Sequence, residues 1–125
     1  MKTKLITFIF SLFSLISCAQ QEKSDADKIL AICKANAKVF LSEKVNADFG
    51  DSKDVTRINL KLATMAANDA NISLVNRSVI ESIERGEISK NNPKQVIDLV
   101  FNEYRKYVTD LPQAFYDKSL ADLNN

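Results

Sequence analysis

Histidine and tryptophan are absent from the 125-residue sequence, and glycine, proline and cysteine occur only twice each. Without histidine, the chain cannot form a serine–histidine or cysteine–histidine nucleophile, and it cannot form a histidine-ligated zinc site. Two glycines are too few to build a glycine-rich loop that cradles phosphate. These absences predict a protein that is not an enzyme and that uses neither a metal nor a cofactor.

Neither positive nor negative charge is in clear excess. The chain has 17 basic and 16 acidic residues, and no long basic run. Proteins that bind nucleic acid obtain most of their affinity by neutralising phosphates with lysine and arginine. We therefore expect no nucleic-acid partner.

The first residues have the pattern of an export signal. Lys2 and Lys4 precede an apolar stretch from Leu5 to Ile16, and small residues surround Cys18. A positive start, a short apolar run and small residues are typical of a cleaved signal peptide. The apolar run is shorter than the roughly 20 residues that a membrane-spanning helix needs.

Two cleavage sites fit this leader. Leu15, Ile16, Ser17 and Cys18 resemble the lipobox of bacterial lipoproteins, which implies removal of residues 1–17, lipidation of Cys18 and an anchor in the membrane. By resemblance to enterobacterial sorting, the alanine that follows favours a periplasmic protein attached to the outer membrane. The alternative is cleavage after Ala19, which would remove residues 1–19 and leave a soluble periplasmic protein.

The remainder predicts a polar tether, residues 18–24, followed by a single helical domain, residues 25–125. Apolar residues recur at spacings of three and four, which is the period of an amphipathic helix. Ser24 with Asp27, Asn92 with Pro93, and Asp110 with Pro112 are typical helix starts, and Gly86 is a typical helix end. The expected fold is all-α, a bundle of four helices and a short C-terminal helix, at about 25–45, 52–68, 72–85, 93–109 and 112–123.

The connector at residues 46–51 is the clearest predicted loop, because glycine, asparagine and aspartate cluster there. Asp51 is predicted to cap the second helix, and a metal loop is disfavoured because the alternating ligands of an EF-hand are missing. As the longest acidic, polar connector, it is our candidate surface for a protein partner, through Asn46, Asp48, Phe49 and Asp51.

Three further features of the sequence bear on structure and function: a cysteine, a pair of tyrosines and the second helix. Cys33 has no intramolecular disulfide partner, since Cys18 is either lipidated or removed, and we expect it to be a small buried residue. Tyr104 and Tyr107 are expected in the core, although an aromatic binding strip is an alternative. The second helix is apolar on more than one side, so it is either central in the bundle or offers a second face to a partner.

Residues 95–108 (QVIDLVFNEYRKYV), followed by Pro112 and a short helix, resemble small helical periplasmic immunity proteins of type VI secretion systems. The resemblance implies a protein that dimerises and neutralises a cell-wall-degrading effector by inserting a loop into its cleft. Two other functions remain open. One is an outer-membrane lipoprotein that escorts a secretion component, as pilotins do by binding a helix in an apolar groove; the other is a structural envelope lipoprotein.

Overall fold

A computed structural model describes residues 24–125. These residues form four helices and no strand, so the all-α prediction is confirmed for this part of the chain. The leader, Cys18 and the tether up to Lys23 lie outside the described residues. The helices are α1 (Asp25–Phe49), α2 (Val55–Glu84), α3 (Pro93–Tyr107) and α4 (Gln113–Leu123).

Several helix ends follow the local signals of the sequence. The Ser24 hydroxyl accepts a hydrogen bond from the Asp27 amide, and the Asp27 carboxylate accepts one from the Ser24 amide, which completes the expected capping box of α1. Asn92 caps α3 by accepting from the Gln95 amide, with Pro93 at the first position. Gly86 follows α2 with a φ of 76°, a conformation that glycine adopts without steric cost.

The prediction of separate second and third helices is wrong, because α2 runs unbroken for 30 residues. The expected connector at residues 68–71 contains no glycine or proline, and asparagine or aspartate costs a helix only about 0.6 kcal/mol relative to alanine. The cluster of Asn68, Asp69 and Asn71 resembles a connector in the sequence, but each of these residues is helical. Packing of the residues that follow, from Ile72 onward, outweighs this small cost in helix propensity.

The first loop is also shorter than predicted. Helix α1 continues to Phe49, and it ends at Gly50, whose φ is 59°. Asp54, not Asp51, caps α2, and its Oδ1 accepts from the Arg57 amide at 3.1 Å. Asp51 and Asp54 are the same residue type and both lie near the start of the helix. Only the path of the backbone decides which of them caps it.

The start of α4 differs from its predicted cap. Pro112 occupies the cap position and makes no side-chain hydrogen bond there. Asp110, the expected capping residue, instead forms a 3.3 Å ion pair with Lys44 on α1. The ion pair links the α3–α4 loop to the second half of α1.

The core joins α1, α3, α4 and the second half of α2. Phe115 is fully buried, and its ring makes edge-to-face contacts with aromatic rings from α1, α3 and α4 at centroid distances of 4.9–6.4 Å. Cys33 is buried, as expected. Tyr104 is also in the core, whereas Tyr107 is 39% exposed, so the core prediction is right for the first tyrosine and wrong for the second.

The first half of α2 lies outside this core. Along α2 as a whole, the first buried residue is Ile72, seventeen residues after the helix begins. We call residues 38–72 the arm, that is, the second half of α1, the loop at 50–54 and the first half of α2. None of the described helices is both long and apolar enough to cross a bilayer.

Candidate functional site

An open groove of about 1070 Å³ lies between the two helices of the arm. Its floor consists of residues that the fold already buries, Leu41, Val45 and Ile72. Its sides are apolar residues of both helices: Val39, Phe49, Ile58, Leu62 and Met65. The groove exists because α2 extends past the core while still lying beside α1.

The apolar side of the groove is unusually exposed for aliphatic residues. Ile58, Leu62 and Met65 are 39%, 57% and 44% exposed, and they follow one another on α2 at spacings of four and three. Single exposed aliphatic residues are common on protein surfaces, but a continuous apolar stripe marks an interaction surface. The stripe therefore identifies the groove as the candidate binding site.

Charged residues surround the groove without favouring either sign. Three cations and three anions line it: Lys38, Arg57, Lys61, Glu43, Asp51 and Asp69. A partner with a strong net charge would gain as much repulsion as attraction here, since both signs are present in equal number.

Arg57 holds the tip of the arm together. Its Nε donates to the Phe49 carbonyl at 2.9 Å, its Nη2 donates to the Asp48 carbonyl at 2.6 Å, and its guanidinium lies 5.7 Å from the centre of the Phe49 ring. The last carbonyls of a helix have no partner within the helix and carry partial negative charge. A cation from α2 therefore satisfies the end of α1, and it fixes how the two helices meet.

The structure separates the predicted contact residues into two groups. Asn46, Phe49 and Asp51 line the tip end of the groove. Asp48 does not line it, although its carbonyl accepts from Arg57. Asn46, Asp48 and Phe49 belong to the last turns of α1 rather than to a loop, and Asp51 lies exposed in the connection.

The sequence indicates an apolar stripe on the second helix but does not join it with the 46–51 segment into one site. The signal that could have done so is the lack of glycine and proline from 55 to 85. A continuous helix over that span is too long for its whole length to lie on a small core.

The described part of the chain contains no group of three or more cysteine, aspartate or glutamate side chains placed to hold a metal ion. Burial raises the pKa of the Cys33 thiol to about 11, although a hydrogen bond with Ser119 opposes the shift. Burial also raises the pKa of the Tyr104 hydroxyl, which has no hydrogen-bond partner among the described residues. Glu81, exposed on α2, forms an ion pair at 3.9 Å with Arg85, the residue that follows the helix.

Comparison of the chain with protein-family models, with curated proteins and with solved structures finds no match.

Proposed function

We propose that the protein is an exported binding protein that acts by contact, and that it is a periplasmic immunity protein that neutralises a toxic, cell-wall-degrading effector. One observation carries the proposal: the arm extends beyond the core and places Phe49 and Asp51 at its tip, next to an apolar groove. A narrow helical hairpin with an aromatic and an acidic residue at its tip has a suitable shape for entering an enzyme cleft. The resemblance of residues 95–108 to immunity proteins agrees with this use.

Co-expression tests the proposal. The protein, exported with its own leader, is produced together with a candidate cell-wall-degrading effector that is directed to the periplasm, and growth and lysis are followed. We expect growth to be restored by the wild type and lost with the double variant Phe49→Ala, Asp51→Lys. Lys34→Ala is the matched control, because Lys34 is exposed on α1 and outside the arm. Undiminished lysis in the presence of correctly exported wild type would refute the function.

A second candidate function is supported by the groove itself. An apolar groove between two helices is the shape that receives an amphipathic helix, as in escort proteins of secretion components. In that case Leu62→Glu, in the apolar side of the groove, would abolish the delivery of the secretion component, whereas Asp51→Lys, at the tip end, would have a smaller effect. Comparing Leu62→Glu with the variants at the tip thus separates the escort function from immunity.

The place of action is proposed from the leader. Lipidation at Cys18 would hold the protein at the outer membrane, because each buried acyl CH₂ contributes about 0.8 kcal/mol to membrane binding. Metabolic labelling with palmitate should mark the wild type and the Cys33→Ala control but not Cys18→Ala. An unlabelled wild type would instead support cleavage after Ala19 and a soluble periplasmic protein.

A further inference from the structure

The two helices of the arm run antiparallel because a short loop joins them. The hydrogen bond from Arg57 to the last residue of α1 fixes which of their residues lie at the same level. Counted from that contact, Lys38 is eleven residues away on α1, and Asp69 is twelve residues away on α2. Glu43 is six residues away and Lys61 is four. At a rise of about 1.5 Å per residue, each cation therefore lies within about 3 Å of the level of the anion across the groove.

These four charges form a diagonal pattern. In the half of the groove nearer the core, the cation Lys38 lies on α1 and the anion Asp69 lies on α2. In the half nearer the tip the signs are exchanged, with Glu43 on α1 and Lys61 on α2. Among the described residues, no ion pair joins any of the four to another side chain, and Lys61 donates to the Gly50 carbonyl at 3.4 Å. The four charges can therefore contact a molecule that lies in the groove.

The walls of the groove suit a helix better than an extended segment. Both walls are α-helices, whose backbone N–H and C=O groups are already hydrogen-bonded within each helix. An extended segment would find no backbone partner there, whereas a helix satisfies its own backbone groups and buries an apolar face. From Lys38 to Gly50 the groove is about 18 Å long, which is the length of a helix of about 12 residues.

We infer that the groove recognises an amphipathic helix of another protein through the charges on both flanks of its apolar face. The flank that faces α1 carries a carboxylate opposite Lys38 and a cation opposite Glu43. The flank that faces α2 carries a cation opposite Asp69 and a carboxylate opposite Lys61. These four charges sum to zero, and a helix with the reverse pattern is excluded because it meets a like charge at all four positions.

This recognition rests on the second candidate function, the binding of a helix in the groove, and it specifies the chemistry of that helix. Immunity is instead tested by lysis with variants of Phe49 and Asp51 at the tip of the arm. Lysis of cells and binding of a helix to the purified protein are separate measurements. The failure of one can therefore be told from the failure of the other.

Two synthetic helical peptides of identical composition test the charge pattern by fluorescence anisotropy with the purified exported protein. The matched peptide carries glutamate and lysine at the flank positions described above, beside a stripe of leucines. The swapped peptide exchanges every glutamate and lysine. We expect the matched peptide to bind about thirtyfold more tightly, because four attractive contacts replace four repulsive ones. Added salt should narrow the difference, since exposed charges are screened.

Reversal of the groove charges provides the reciprocal test. A fourfold variant exchanges the sign at each position and keeps the net charge of the protein: Lys38→Glu, Glu43→Lys, Lys61→Glu and Asp69→Lys. This variant should prefer the swapped peptide by a similar factor, because every contact with that peptide is then attractive. Circular dichroism checks that the variant is folded.

Two leucines of α2 test where the peptides bind. Leu62→Glu places a charge in the apolar side of the groove, and it should abolish the binding of both peptides. Leu74→Glu is the matched control, because Leu74 is an exposed leucine of the same helix that does not line the groove. It should bind both peptides as the wild type does.

Three results would overturn the inference. One is equal binding of the matched and swapped peptides by the wild type, or a fourfold variant that keeps the preference of the wild type. Another is the binding of neither peptide, which would leave the groove to a different occupant. The third is an equal loss of binding in Leu62→Glu and Leu74→Glu, which would place the peptides on another surface.

Discussion

Replacing Asn36 with alanine tests how α4 is held on α1. Asn36 is buried on α1, and its Nδ2 donates to the Ser119 hydroxyl at 3.1 Å and to the Asp122 carboxylate at 3.0 Å. These are polar contacts from the middle of α1 to the last two turns of the 11-residue helix α4. Alanine removes both donors but leaves the helix itself intact.

The expected loss of unfolding free energy depends on the hydrogen bonds that Ser119 and Asp122 retain in the variant. Ser119 still donates to the Phe115 carbonyl at 2.8 Å, and Asp122 still accepts from Lys118 at 2.9 Å. Neither is left without a hydrogen bond, so each lost contact costs about 1 kcal/mol of unfolding free energy. Alanine is a better helix former than asparagine by about 0.6 kcal/mol, which offsets part of the loss. We expect a net loss of about 1.4 kcal/mol.

Asn46→Ala is the matched control for this measurement. Asn46 lies on the same helix but is exposed, so alanine there should only add the gain in helix propensity. In urea denaturation followed by circular dichroism, the two variants should differ by about 2 kcal/mol. Equal unfolding free energies would show that Asn36 contributes nothing to the docking of α4, and the argument from its two hydrogen bonds would fail.

Three more changes probe the core and its titratable groups. Phe115→Ala should reduce the unfolding free energy by about 4 kcal/mol in the same urea assay, because a fully buried ring leaves a cavity; a loss below about 1 kcal/mol would contradict its central place. Tyr104→Phe should raise stability by about 1 kcal/mol, since it removes a buried hydroxyl that has no partner in the described part of the chain, and a lower stability would show that the hydroxyl is satisfied. Hydrogen bonds from Lys118 and Asn36 lower the pKa of Asp122, so its contribution is complete above the ordinary aspartate pKa of about 3.9 and is lost as the pH falls below it. Asp122→Asn should therefore flatten the acid limb of a plot of stability against pH, and an unchanged limb would contradict this linkage.

Some features of the fold could be predicted because the signals are local. The capping box of Ser24 and Asp27, the Asn92 and Pro93 start of α3, and Gly86 after α2 each depend on a few neighbouring residues, and the structure contains all three. The burial of Cys33 follows from its place on an apolar stripe.

The site could be predicted only in part. The sequence indicated an apolar flank on the second helix, and it indicated Asn46, Phe49 and Asp51 as contact residues. It could not show that both line one groove, because this depends on how far α2 extends beyond the core. The same extension explains why the two helices predicted on either side of residues 68–71 are one continuous helix.

By itself, the sequence determined the all-helical character of residues 24–125, several helix ends and the absence of histidine chemistry, because composition and local hydrogen bonding control these features. Only the tertiary structure decided which apolar residues are buried. Ile72 and Leu62 belong to the same helix and differ little in hydrophobicity, yet Ile72 is 1% exposed and Leu62 is 57% exposed. The physical reason is that burial depends on which residues lie across from a side chain, and the core of this fold ends at Ile72.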